Sequence, residues 1–151
     1  MQDLNLPEYK FRYKKDNENL LIFDSIRKKY VALTPEEWVR QNFVQFLLKE
    51  KNVPASLINI EMSLNYNKLK KRSDIVIYKN TGIPLLIIEC KSPNIAITQK
   101  VFDQIARYNF TLKVKYLIVT NGIDHFCCKI DLENKTYVFL KEIPNYVEFI
   151  E

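Results

Sequence analysis

Two glycines, one histidine and three cysteines among 151 residues are low counts, and each shortage removes a class of protein. With so little glycine the chain has neither the repeat of a collagen nor the composition of a flexible linker. Its 47% hydrophobic and 27% charged residues describe a globular chain able to bury a core. The lone His125 has no serine, cysteine or carboxylate at a telling spacing, which argues against a hydrolase triad. Cys90, Cys127 and Cys128 are odd in number, lack zinc-site spacing and follow no secretory signal pattern. No disulfide framework is expected from them, and the adjacent pair reads as ordinary strand residues. No apolar run approaches the roughly 20 residues of a membrane span, so a cytoplasmic chain without membrane contact is expected. Phosphate loops, dinucleotide fingerprints and EF-hands are missing as well.

What is present begins with size and charge. A chain of 151 residues suits a single domain, here divided into a peripheral N-terminal part (1–33), a core (34–131) and a C-terminal extension (132–151). The net charge of +5 is compatible with a polyanionic partner and equally with plain solubility. The most concentrated basic run, Lys68-Leu69-Lys70-Lys71-Arg72, reads either as a solvated loop or, because it leads directly into Asp74, as a nucleic-acid contact. Trp38 and the nine tyrosines could stack on bases, although packing is the commoner fate of aromatics.

Periodicity sets the elements. Leu20 to Asp24 and Lys29 to Leu33 alternate as one or two peripheral strands. Thr34-Pro35-Glu36-Glu37 starts a helix, with Thr as N-cap, Pro at the first position and Glu37 at the capping-box position. That helix runs to about Lys51, with Val39, Phe43, Phe46 and Leu47 on its apolar face. Strands are expected over Leu57 to Tyr66, Asp74 to Tyr78 and Pro84 to Lys91, the last two forming a hairpin about Lys79-Asn80-Thr81-Gly82. The unbroken apolar run Leu85 to Ile88 marks a central strand buried on both faces. A second helix from Thr98 to about Leu112, with Val101, Ile105, Tyr108 and Leu112 in its stripe, leads to a buried strand Tyr116 to Thr120. A helix between two such strands implies a parallel crossover. Two further strands are expected near His125 to Ile130 and Thr136 to Leu140. The fold class is α/β, a mixed sheet flanked by helices with extra strands at both ends.

The chemistry gathers at the end of the central strand. Glu89 and Lys91 are two apart, so on a strand their side chains leave one face at a separation of roughly 6.5–7 Å. Alone, the pair is no more than a buried strand emerging into solvent. Asp74 changes this, because antiparallel pairing brings the start of one strand beside the end of the next. Two carboxylates and a backbone carbonyl then make a hard-oxygen site suited to Mg²⁺, with Mn²⁺ as a substitute. Lys91 is positioned to orient a water or stabilise phosphorane charge. Phosphodiester hydrolysis is the reaction such a set serves.

Ser73-Asp74 followed by Glu89-Cys90-Lys91 resembles the PD-(D/E)xK nuclease signature, with Ser73 in the place of the name-giving proline. The blocks 34–41, 71–78, 89–93, 102–109 and 120–122 are similar, in order, to the N-terminal nuclease domain of type I restriction enzyme R subunits. The resemblance covers about Lys28 to Asp131 and implies a restriction-endonuclease-like αβββαβ core. It also implies a Mg²⁺-dependent DNA endonuclease, with Asp74, Glu89 and the Cys90 carbonyl as metal ligands and Lys91 as the catalytic lysine. A first-helix carboxylate would support the metal, either Glu37 or Glu36; Glu37 reads equally as a helix cap. Gln104 and Tyr108 match the family's Gln-x-x-x-Tyr motif, which implies contact with DNA phosphate or the scissile region and puts Gln104 among the catalytic residues, while Tyr108 also suits a core position. Lys70, Lys71 and Arg72 join them as DNA-binding candidates. DNA is the implied partner, with a separate motor or specificity subunit beside it. The alternative is a DNA-binding or assembly module that keeps the fold without turnover.

Overall fold

The computed structural model describes residues 1–66 and 69–151, and the side chains of 1–60 and 74–151. Strands β1 (Tyr13–Asp16), β2 (Asn19–Asp24) and β3 (Lys29–Ala32) form an antiparallel sheet of their own in the order β1-β2-β3. Helix α1 (Pro35–Glu50) follows, then a 3-10 turn (Ala55–Leu57) and the strands β4 (Ile58–Tyr66), β5 (Leu69–Tyr78) and β6 (Pro84–Cys90). Helix α2 (Gln99–Leu112) precedes β7 (Tyr116–Thr120), β8 (His125–Asp131) and β9 (Thr136–Leu140), and a short α3 (Tyr146–Phe149) ends the fold. The main sheet has the order β4-β5-β6-β7-β8-β9. Only β6 and β7 pair in parallel, so the expected crossover through α2 and the expected β5–β6 hairpin are both present.

Each strand of the sheet centre divides its residues between two cores. Ile75, Ile77, Leu86, Ile88 and Cys90 pack with Val39, Phe43, Val44 and Leu47 of α1 and with Tyr146 and Phe149 of α3. Val76, Ile87, Leu117, Val119 and Cys128 pack with Phe102, Ile105 and Ala106 of α2. The run Leu85 to Ile88 is buried throughout because β6 has strands on both sides and a helix on each face. The three cysteines are free and buried. No helix among the described residues is long and apolar enough to cross a membrane.

Several boundaries differ from expectation for identifiable reasons. β1 has no counterpart in the sequence reading: all four of its residues are exposed, so it has no apolar alternation to read. β5 begins at Leu69, five residues before Asp74, because it continues pairing with β4 through the basic run. The buried face of α2 is Phe102, Ile105, Ala106 and Asn109, one position around from the predicted stripe. Tyr108 is 51% exposed, which corrects its reading as a core residue. α1 starts as expected, with Thr34 Oγ1 accepting from the Glu37 N–H.

An N-terminal arm crosses the end of the sheet. The Asn5 N–H donates to the Gly122 carbonyl at 2.8 Å, and Trp38 Nε1 donates to the Gln2 carbonyl at 2.8 Å. His125, which bridges Thr120 Oγ1 and the Asn5 carbonyl, has a structural role in this docking. Gly122 and Gly82 share φ of +85°, but a Cβ at Gly122 would lie 2.7 Å from Leu4 Cδ2 and 3.1 Å from Val39 Cγ2, whereas Gly82 has open space. Left-handed backbone costs an L-residue about 1–2 kcal/mol at either site. Gly122→Ala should therefore lower the urea unfolding free energy by about 1–3 kcal/mol more than Gly82→Ala, the added cost of overpacking; equal losses would show that the arm does not press on the turn.

Candidate functional site

The N-terminal half of α1 is polar on a side that is nevertheless buried, and this sets the site. Glu37, Arg40 and Gln41 are 6%, 5% and 2% exposed. A buried guanidinium is tolerable only where carboxylates surround it. Arg40 Nη1 meets Glu37 Oε1 at 2.8 Å, and its Nη2 meets Glu36 Oε1 at 3.2 Å and Asp74 Oδ1 at 2.9 Å. Burial by itself would lower the Arg40 pKa, but Glu37 and Asp74 outweigh it and hold the side chain firmly charged. The buried Nε of Arg40 has no hydrogen-bond partner.

A second ring of contacts ties this helix to the N-terminal sheet. Asp24, at the end of β2, is fully buried. Its Oδ1 accepts from the backbone N–H groups of Ile26 and Arg27, both at 2.8 Å. Its Oδ2 accepts from Arg27 Nε at 2.6 Å and Gln41 Nε2 at 2.9 Å. Arg27 Nη2 also donates to Glu37 Oε1 at 3.0 Å, and Gln41 Nε2 to Glu37 Oε2 at 3.1 Å. Both oxygens of Glu37 are thus directed at Arg27, Arg40 and Gln41. The capping box is half made: Thr34 caps, and the Glu37 carboxylate serves the network instead.

Asp74 stands where β5 and β6 part. The strands pair as far as Ile75 and Ile88, and extending that register by one residue sets Asp74 across from Glu89. Residues opposite one another in an antiparallel pair have Cβ atoms about 4.5–5.5 Å apart. Asp74 Oδ2 accepts the backbone N–H of Cys90 at 2.7 Å, which fixes the carboxylate at the strand end between Glu89 and Lys91. The Lys91 N–H donates to the Thr120 carbonyl at 2.8 Å, so β7 holds the same segment from its other side. Cys90 itself points into the α1 core, and burial, with Asp74 adding to it, pushes its thiol well above the usual value. The thiol stays neutral. Among the described residues no group of three or more His, Cys, Asp or Glu side chains is arranged to hold a metal.

Gln104 and Tyr108 lie on one exposed side of α2, four residues apart. The side chains of Lys70, Lys71 and Arg72 lie outside the described residues. A cleft of about 780 Å³ opens beside the cluster, lined by Arg27, Lys29, Tyr30, Glu36, Arg40 and Ser92 among others. Asp24, Arg27, Arg40 and Gln41 have no role in the sequence reading. One signal points to Arg40, the placement of Glu36 and Glu37 four and three residues before it, but Asp24 and Asp74 join the cluster only through tertiary structure.

A mixed six-stranded α/β sheet with α1 and α2 on its two faces is consistent with the restriction-endonuclease-like fold. The family model of the type I restriction enzyme R protein N terminus matches residues 35–144, and the chain belongs to that family. No curated protein matches the chain. Among solved structures it is similar to one described as a fragment of a putative HsdR subunit of a type I restriction enzyme from Vibrio vulnificus YJ016, with a TM-score of 0.53 and 20% identity. The match covers 78% of this chain and 25% of that one, so the chain spans about a quarter of its neighbour's length.

The buried ion pairs predict a pH effect. Burial works to raise the Asp24 pKa, but the hydrogen bonds from Arg27 and Gln41 override it and leave it lowered. A carboxylate with a folded pKa below its unfolded value of about 3.9 adds stability above that value and loses it as pH falls through the folded pKa. Asp24→Asn should cost about 3–5 kcal/mol at pH 7, measured by urea unfolding, as for a broken buried pair. The gap from wild type should narrow below about pH 4; a gap independent of pH would show that the charge on Asp24 does not matter.

Proposed function

We propose that this chain is the nuclease part of a type I restriction R subunit and hydrolyses DNA phosphodiester bonds with Mg²⁺, Mn²⁺ serving as a substitute. The observation that supports this reading is the β5–β6 register, whose last pair is Ile75 and Ile88; continued by one residue it would bring Asp74 opposite Glu89, two residues before Lys91. The surroundings suit a divalent cation: the four carboxylates of Asp24, Glu36, Glu37 and Asp74 share the guanidiniums of Arg27 and Arg40. Asp74, Glu89 and the Cys90 carbonyl are the oxygens that would hold the ion. When bound, Mg²⁺ supplies Lewis-acid polarisation of the phosphate and a water of lowered pKa.

The protein's own residues do the rest. Lys91 offers an ammonium on the Glu89 face of the strand, where it stabilises charge developing on the phosphoryl oxygens. Arg40 holds Asp74 by a 2.9 Å contact and aims it at the strand end. Glu37 is one cation removed from Asp74 and acts by holding Arg40. Gln104 contacts the scissile region, and Tyr108, Lys70, Lys71 and Arg72 contact the DNA backbone, which positions the DNA without reading its sequence. The chain acts as a single cytoplasmic domain, with a motor or specificity subunit supplied by the remainder of the assembly.

A second reading has one observation in its favour. Both oxygens of Asp74 already accept hydrogen bonds, from Arg40 and from the Cys90 N–H, an arrangement that also suits a structural carboxylate. On that reading the fold binds DNA and assembles without turnover. Supercoiled-plasmid cleavage with Mg²⁺, with and without partner subunits, separates the two. The nuclease reading predicts nicking by wild type and a loss of about a hundredfold or more in Lys91→Ala; equal rates, or no cutting under any condition, would favour the second.

A further inference from the structure

The net charge of the chain is concentrated in one segment. Residues 10–30 carry seven Lys and Arg against three Asp and Glu, whereas the rest of the chain has 16 against 15. One of the three acids, Asp24, is buried and paired with Arg27. The segment that forms and flanks the small β1-β2-β3 sheet therefore carries +4 of the net +5.

Its register sorts these residues by face. Ile22 and Asp24 point inward and are buried. The outward row runs Arg12, Phe23, Tyr30 across the three strands, since Phe23 pairs with Tyr30 and its N–H donates to the Arg12 carbonyl. The Arg12 guanidinium lies 3.9 Å over the Phe23 ring, Phe23 and Tyr30 meet edge-on with centroids 5.2 Å apart, and Lys14 Nζ stands 5.7 Å from the Tyr30 centroid. Arg12, Lys14 and Tyr30 share this row and are exposed, while Lys29, paired with Asp24 and so on the other row, is exposed along the edge strand β3. Tyr30 and Lys29 also line the cleft that leads past Arg40 to Ser92, next to Lys91.

We propose that this sheet binds a single strand of DNA, a base laid on Tyr30 with phosphates on Lys14 beside it and on Lys29 around the edge of β3, and leads it along the cleft to the Asp74–Glu89 strand end. The inference rests on the nuclease reading for what happens at that end, but not for the binding itself. An aromatic face flanked by cations is the arrangement that takes unpaired bases with little sequence preference. A duplex, whose bases are stacked on one another, has no use for the ring. The cleft changes from cationic at β3 to carboxylate-rich at α1, so the phosphate backbone enters on the basic side and reaches the proposed metal at the acidic one.

Fluorescence anisotropy in EDTA tests this without cleavage, using a labelled oligothymidine and a labelled duplex of equal length. Wild type should prefer the single strand. Tyr30→Ala should weaken that binding about tenfold with the salt slope unchanged, while Tyr30→Phe keeps it. Lys14→Gln with Lys29→Gln should lower the slope of log affinity against log salt by about 1.4. Lys141→Gln, beyond the far edge strand β9, should bind as wild type does, and circular dichroism confirms that each variant is folded. Wild type that prefers duplex or binds neither probe, or folded Tyr30 and lysine variants that bind within twofold of wild type, would overturn the proposal. If the Tyr30 effect appears while plasmid remains uncut, the binding surface stands and the nuclease reading fails. Cutting by wild type with no Tyr30 effect leaves the nuclease reading standing and refutes the binding surface.

Discussion

The guanidinium of Arg40 is the contact on which the arrangement of this end of the molecule depends. It joins the first turns of α1 to the middle of β5, next to where its pairing with β6 ends, by meeting Glu36, Glu37 and Asp74. A cation this deeply removed from water is costly unless carboxylates surround it, and Glu37 and Asp74 hold the arginine charged. Arg40 and Glu37 are the buried members, whereas Glu36 is half-exposed. The same network reaches Asp24 through Glu37, Arg27 and Gln41, so the basic N-terminal sheet is anchored to the helix that anchors Asp74. Position at the strand end and position of the peripheral sheet are therefore one problem with one electrostatic solution.

The two faces of β6 divide the labour. Cys90 looks into the α1 core, where its neutral thiol is packing, while Ile87 packs toward α2 and strand alternation assigns Glu89 to that same face. Asp74 belongs by register opposite Glu89, yet its carboxylate caps the Cys90 N–H and touches the α1 arginine. It thus stands between the structural network on one side and the open strand end on the other. This is how a fold can present a carboxylate to a ligand and still hold it rigidly: the holding is done from behind by a buried charge.

Much of the fold is legible in the sequence because it is written in period. Helix α1, the central strand β6, helix α2 and strand β7 each carry a clear apolar pattern, and their order defines the mixed sheet. The structure departs from expectation where pattern is weak. β1 is polar and exposed on all four residues, and the N-terminal half of β5 runs through lysines and an arginine. Tyr108 falls into an apolar stripe by spacing but faces solvent, because Asn109 takes the buried position beside it. At the site, local spacing marks Asp74, Glu89 and Lys91, which sit on or just beyond adjacent strands. Asp24, Arg27, Arg40 and Gln41 go unmarked, since a cluster assembled from β2, a turn and a helix leaves no periodic trace. Glu37 has two readings in the sequence, and its carboxylate instead serves Arg27, Arg40 and Gln41.

The central claim is that Asp74 and Glu89 together hold a divalent cation beside Lys91. Crystals soaked in Mn²⁺ test it most directly through anomalous scattering. A manganese ion between the two carboxylates, within about 2.0–2.4 Å of their oxygens and lost in Asp74→Asn crystals, is the result the account predicts. Saturating Mn²⁺ with no ion between them, and Asp74 still held by Arg40 and the Cys90 N–H alone, would contradict it.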